Sequence, residues 1–134
     1  MLAKPILVVD DEGLVLESVR MTLSHYGHSV RTAGSGLEAL AKLALEEFAL
    51  VVTDLKMPGM CGDELARQIK GRWPRLPIIL LTGFPPEVKP PGVDVILLKP
   101  FSTADLRNTV SRLIGPERGG TGNQLSVTST DPKV

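Results

Sequence analysis

The chain has 134 residues, the size of one ordinary domain and enough to bury a core without disulfides or a structural metal. Its 15 basic and 15 acidic residues cancel, so no global field draws it to nucleic acid or to an acidic membrane surface, and direct nucleic-acid or membrane partners are not expected. Cys61 is the single cysteine, which excludes an internal disulfide framework or a CxxC pair and fits a reducing, cytoplasmic compartment, while neither a signal peptide nor a membrane-length apolar run of about 20 residues is legible.

The run Ile6-Leu7-Val8-Val9, entered through Pro5 and ended by Asp10-Asp11, predicts a strand buried on both faces. From Glu12 to Tyr26, Val15, Leu16, Val19 and Leu23 recur at helical spacing, and Gly27 stands where a left-handed cap belongs. Ser29-Val30-Arg31-Thr32 reads as a second strand. Ser35 and Glu38 match a capping box that opens a second helix containing Leu37, Leu40, Ala41 and Leu45. Ala49 to Thr53, ended by Asp54, is a third strand, and a Pro58-Gly59 turn leads to a helix from about Gly62 to Gly71.

Pro77-Ile78-Ile79-Leu80-Leu81, ended by Thr82, gives a fourth strand, and Val95 to Leu98, ended by Lys99-Pro100, a fifth. Ser102, with Asp105 three residues later, caps a last helix that carries Leu106, Val110, Leu113 and Ile114 and stops at Gly115-Pro116. Alternating strands and helices predict an α/β fold with a doubly wound five-stranded parallel sheet. Beyond Gly115 the chain turns to Gly, Ser, Thr and Asn, so one domain over 1–115 and a polar tail or linker over 116–134 are expected.

Active groups of an open parallel sheet gather at the carboxyl ends of the strands. Those ends carry Asp10-Asp11, Asp54, Thr82 and Lys99, so three carboxylates, a hydroxyl and an ammonium are expected to converge. Clustered carboxylates repel unless a cation joins them, and a hard, partly hydrated ion such as Mg²⁺ suits such a set together with phosphate oxygens. Asp54 is the expected nucleophile at the sheet centre, with Asp10 and Asp11 holding the metal. Lys99 and Thr82 would serve the phosphoryl oxygens by charge and by hydrogen bond.

Taken singly, Asp10-Asp11 is an ordinary helix cap, Asp54 a loop acid, Thr82-Gly83 a turn and Lys99 a solvated charge. Independent caps rarely produce the whole order at four successive strand ends. His25 and His28 flank a helix end and are assigned no chemistry, Trp73 and Cys61 are expected to be packing residues, and Gly34-Ser35-Gly36 lacks the spacing of a phosphate loop.

With these residues placed, the chain resembles the receiver domain of two-component response regulators, a flavodoxin-like fold with strand order 2-1-3-4-5. Four segments carry the resemblance: Leu7 to Glu12, Thr53 to Met60, Leu81-Thr82-Gly83 and Leu98 to Phe101. It implies that a sensor histidine kinase or a histidine phosphotransfer protein donates a phosphoryl group to Asp54. It also implies Mg²⁺, with Mn²⁺ as a substitute, held by Asp11, Asp54, the Lys56 backbone carbonyl and, partly through water, Asp10. Thr82 matches the switch hydroxyl and Lys99 the phosphate-pairing lysine, and the chain would catalyse only its own phosphorylation and dephosphorylation.

Two departures stand out. The family's switch couples the hydroxyl to an aromatic residue three positions before the lysine, and Ile96 stands there. The segment Phe84 to Gly92 carries four prolines, so a shortened or missing fourth helix is expected. Output would then run through a downstream protein or through a domain outside this chain. Two other readings compete: a receiver-like interaction module independent of phosphorylation, and a phosphatase of the haloacid dehalogenase type. The latter expects Asp-x-Asp after the first strand, where this chain has adjacent Asp10-Asp11.

Overall fold

The computed structural model describes residues 3–115. Its elements in chain order are β1 (Ile6–Val9), α1 (Gly13–His25), β2 (Val30–Ala33), α2 (Gly36–Leu45), β3 (Leu50–Asp54), α3 (Gly62–Arg72), β4 (Ile78–Thr82), β5 (Val95–Leu98) and α4 (Thr103–Ile114). The five strands are all parallel, as their alternation with helices predicts, and stand in the order β2-β1-β3-β4-β5 that the family resemblance implies. The expected tail, 116–134, lies outside the described residues.

Strand alternation divides the core into two layers. Leu7, Val9, Val51, Ile78 and Leu80 face α2 and α3, where Ala39, Leu43, Leu65, Ala66 and Ile69 meet them. Ile6, Val8, Leu50, Val52, Ile79 and Leu81 face α1 and α4, covered by Val19, Leu23, Leu106 and Val110. Both faces of β1, β3 and β4 are therefore buried, which explains why these strands read as unbroken apolar runs rather than alternating ones.

Caps fix the helix starts. Ser102 and Asp105 form a complete reciprocal capping box at α4. At α2 the Ser35 hydroxyl accepts from Glu38 N, but Glu38 Oε1 accepts from Gly34 N (2.8 Å) instead of closing the box on Ser35. The α2 residues turned inward are Gly36, Ala39 and Leu43, while Leu37 and Leu45 are exposed. Cys61 corrects the sequence reading: it is exposed at the start of α3 rather than packed, because Gly62 and not Cys61 makes the close approach to the sheet. Trp73 is half-buried against the layer between the sheet and α2 and α3, as expected.

No helix forms between β4 and β5. Pro85, Pro86, Pro90 and Pro91 remove amide donors and fix φ, and the stretch crosses α3 at Gly92, whose φ is +88° and whose Cα lies against the Ala66 carbonyl. Asp94 anchors the far end. Its Oδ2 accepts from Ile78 N (2.8 Å) and from Lys70 Nζ (2.9 Å), and Asp94 N donates to Ile78 O (2.9 Å), which sets the β4–β5 register without a covering helix. Asp94→Ala leaves the Ile78 amide unpaired at a strand start, and a loss of about 1–3 kcal/mol is expected, read as a lower midpoint in urea with an unchanged slope.

Candidate functional site

The carboxyl end of β1 delivers Asp10, which is 3 % exposed, and then Asp11 into solvent contact. Asp10 cannot turn away: its Oδ1 accepts from Glu12 N (2.9 Å), and its own amide donates to Ala33 O (3.1 Å) at the end of β2. Asp54 is the last residue of β3, 7 % exposed, and its strand neighbours Thr53 and Leu81 are held by parallel pairing on either side. Carboxylate oxygens of Asp10, Asp11 and Asp54 lie within 4.8 Å of one another. Three expected residues thus do converge.

Lys99 joins them from the end of β5. Its Nζ donates to Asp54 Oδ1 at 2.5 Å, and its amide donates to Thr82 O (2.8 Å), tying the lysine to the end of β4. Thr82 reaches the same rim, but its hydroxyl is engaged with its own loop, exchanging hydrogen bonds with Phe84 O (3.1 Å) and Phe84 N (3.2 Å). Lys56 stands in the loop after β3 with its ammonium 5.7 Å from the Phe84 ring centroid, a cation–π contact across the mouth of the site. Ile96, opposite Leu80 in the β4–β5 register, packs half-buried on the layer that faces α2 and α3.

The electrostatics follow from this crowding. Burial pushes the Asp10 carboxyl above the usual carboxylate range, the Glu12 amide partly offsets that, and the Asp54 charge raises it further. Asp10 Oδ2 is buried with no hydrogen-bond partner, an unusual state for a carboxylate oxygen. An orphaned oxygen within an all-oxygen set of three carboxylates fits a hard divalent cation.

Sequence reasoning missed one positioning residue, Gly62. A Cβ there would lie 2.2 Å from Asp54 O, so the bare Cα is what lets α3 start against the backbone of Asp54, and Gly62 N donates to Leu55 O at 2.7 Å. A glycine opening a helix with acids in its first turn reads as an ordinary cap. Only the third dimension shows what it abuts.

Comparison with known proteins agrees with this geometry. The response regulator receiver domain family model matches residues 6–111. The response regulator protein FleR of Pseudomonas aeruginosa is 35% identical over 116 residues, 83% of this chain and 24% of that protein. Response regulator MprA of Mycobacterium tuberculosis is 40% identical over 106 residues, 75% of this chain and 46% of that protein. The chain thus spans less than half the length of these curated relatives.

Among solved structures, response regulator TrrA of Thermotoga maritima in complex with Mg(2+)-BeF superposes with a TM-score of 0.77 at 34% identity, covering 82% of this chain and 98% of that one. The chemotaxis protein CheY4 of Vibrio cholerae gives 0.75 at 31% identity, covering 84% and 99%. Such matches, with adjacent Asp10-Asp11 where a haloacid dehalogenase would carry Asp-x-Asp, set the phosphatase reading aside. The sheet order, the strand-end acids and the family match over residues 6–111 together place the chain in the response regulator receiver domain family.

Proposed function

We propose that this domain is a phosphoacceptor switch in a two-component phosphorelay: Asp54 accepts a phosphoryl group from a sensor histidine kinase or a histidine phosphotransfer protein, and the surface around the β4–β5 segment changes in response. The observation that carries the reading is the strand-end cluster, with Asp54 between the Asp10 and Asp11 carboxylates and the Lys99 ammonium. A free Asp54 oxygen is the nucleophile, forming an O–P bond as the donor nitrogen–phosphorus bond breaks. Lys99 is positioned to pair with an incoming anionic oxygen without first crossing the site. The Thr82 hydroxyl, held by Phe84, has to leave that loop to reach the phosphoryl, which would release the backbone at Phe84.

Asp10, Asp11, Asp54 and the Lys56 backbone carbonyl would hold Mg²⁺, or Mn²⁺ in its place. When bound, the ion supplies charge neutralisation for the phosphoryl oxygens. On this reading the domain spans 1–115, the segment 116–134 is a polar tail or linker, and the chain catalyses only its own phosphorylation and dephosphorylation. Output passes to a downstream protein or to a domain outside this chain, a reading supported by relatives that extend well beyond the matched region. A cytoplasmic setting is supported by the lone Cys61 and by the finding that no helix among the described residues is long and apolar enough to cross a membrane.

The test is intact mass after incubation with acetyl phosphate, with and without Mg²⁺. A gain of one phosphoryl that requires Mg²⁺ is expected. Absence of any gain would favour the alternative of an interaction module that keeps the fold and has lost the switch.

Asp10 supplies a second check. Its raised carboxyl binds protons more readily folded than unfolded, so its ionisation costs the native state stability as pH rises through the folded value, and that cost is absent below the unfolded value. Asp10→Asn is therefore expected to raise the melting temperature at neutral pH in the presence of chelator. Mg²⁺ should stabilise the native chain and leave the variant nearly unmoved. A lower melting temperature for the variant in chelator would show that the carboxylate is not under strain.

A further inference from the structure

At the opposite end of the sheet, before β3 and β4 begin, the C-termini of α2 and α3 flank an open cavity of about 770 Å³. This volume lies within the range of small-molecule sites, about 300–1,000 Å³. Leu43, Phe48 and Leu76 form its apolar floor, and Trp73 stands half-exposed in its wall. The Arg72 guanidinium lies over the indole of Trp73, 4.5 Å from the ring centroid, and Arg75 stands two residues further along the rim.

Charge decides which ligands such a cavity admits. The rim acids are engaged: Glu46 pairs with Arg31 (3.1 Å) and Glu47 with Lys4 (3.4 Å). Arg72 and Arg75 have no carboxylate partner among the described residues. Each helix C-terminus contributes about half a negative charge, so the two ends together offset about one of the two guanidinium charges. The residual field is positive.

Arg72 does complement the end of its own helix, which is the ordinary role of a basic residue there. Arg75 lies beyond the helix and has no such role. We propose that this cavity is a second binding site, remote from Asp54, for a small molecule with a flat apolar body and one anionic group. The body would lie against Trp73 and the Leu43–Phe48–Leu76 floor, and the anion would sit between Arg72 and Arg75, whose planar forks suit carboxylate, sulfonate or phosphate oxygens.

Trp73 is the only tryptophan of the chain, which makes the site directly observable. The probe is anilinonaphthalene sulfonate, titrated into the full chain while Trp73 emission is followed. Saturable quenching by one equivalent, with energy transfer from Trp73 to the probe, is expected. Arg75→Glu, an exposed change, should weaken binding about tenfold, as one attraction becomes a repulsion. The neutral analogue phenylnaphthylamine should also bind about tenfold more weakly to the native chain. Phe84→Ala, which alters the exposed apolar patch at the other end, should change nothing. Equal affinity for the charged and neutral probes, indifference to Arg75→Glu, quenching that never saturates, or loss of the signal in Phe84→Ala would each overturn the assignment.

Discussion

Asp54→Asn is expected to abolish the Mg²⁺-dependent gain of mass from acetyl phosphate while leaving the fold intact. The amide has no anionic oxygen to attack phosphorus, and the other acids cannot substitute for it. Asp10 is held by the Glu12 and Ala33 backbone at the end of β1, and Asp11 is exposed, whereas the Lys99 ammonium that would neutralise the incoming group donates to Asp54. Two effects on stability oppose each other. The substitution relieves the repulsion that helps raise the Asp10 carboxyl, and it removes the carboxylate partner of Lys99, whose side chain is 33% exposed. A partly hydrated ion pair is worth about 1 kcal/mol at most, so the net shift in stability should be small against the loss of function. A residual Mg²⁺-dependent phosphoryl on the variant, mapped to Asp10 or Asp11, would sink the assignment of Asp54 as the acceptor.

The site was largely legible from sequence because its chemistry contradicts its surroundings. Asp10, Asp54 and Thr82 each follow a run of residues that cannot be anything but buried strand, and three-dimensional pairing of parallel strands then aligns their ends. The parallel α/β sheet followed from the same alternation and the loss of a fourth helix from the four prolines of one segment, whereas the strand order came with the family resemblance.

What stayed hidden depends on contacts between distant residues. Asp94 carries no sequence mark that it would bridge the starts of β4 and β5, since an acid shortly after a Pro-Gly turn is commonplace. Thr82 could be placed at the rim but not given an orientation: its hydroxyl is taken by Phe84, two residues on, and rotamers are decided by local competition between partners. The exposure of Leu37 and Leu45 on α2 was equally unreadable, because a helix rich in leucine and alanine all round does not declare which stripe meets the sheet.

Two glycines of one helix should respond in opposite directions to the same change. Gly71, near the end of α3, has no atom within 4 Å of where a Cβ would stand, so Gly71→Ala is expected to stabilise the domain by about 0.5–1 kcal/mol through the lower backbone entropy of the unfolded chain. At Gly62 the same methyl would lie 2.2 Å from Asp54 O and 2.9 Å from Leu80 Cδ1. Leu80 can yield by a rotamer adjustment. Asp54 cannot, because it is in the central strand, paired with β4 through Leu81, and its neighbour Leu55 donates its amide to Leu81 O (3.0 Å). The start of α3 therefore has to retreat, stretching the 2.7 Å bond from Gly62 N to Leu55 O and opening the packing of Leu65 and Ala66 behind it. Overpacking of this kind costs about 1–3 kcal/mol, and here it outweighs the helix-propensity gain of about 1 kcal/mol that alanine would otherwise bring. Urea denaturation of the two variants gives the comparison directly, with midpoints moving apart on either side of the native chain. Because the loop between Asp54 and α3 carries Lys56, the Gly62→Ala chain should also accept phosphoryl more slowly at saturating Mg²⁺, whereas Gly71→Ala should not. Equal stabilisation by both substitutions would mean that the approach of α3 to Asp54 is loose, and that the acceptor is held by its strand alone.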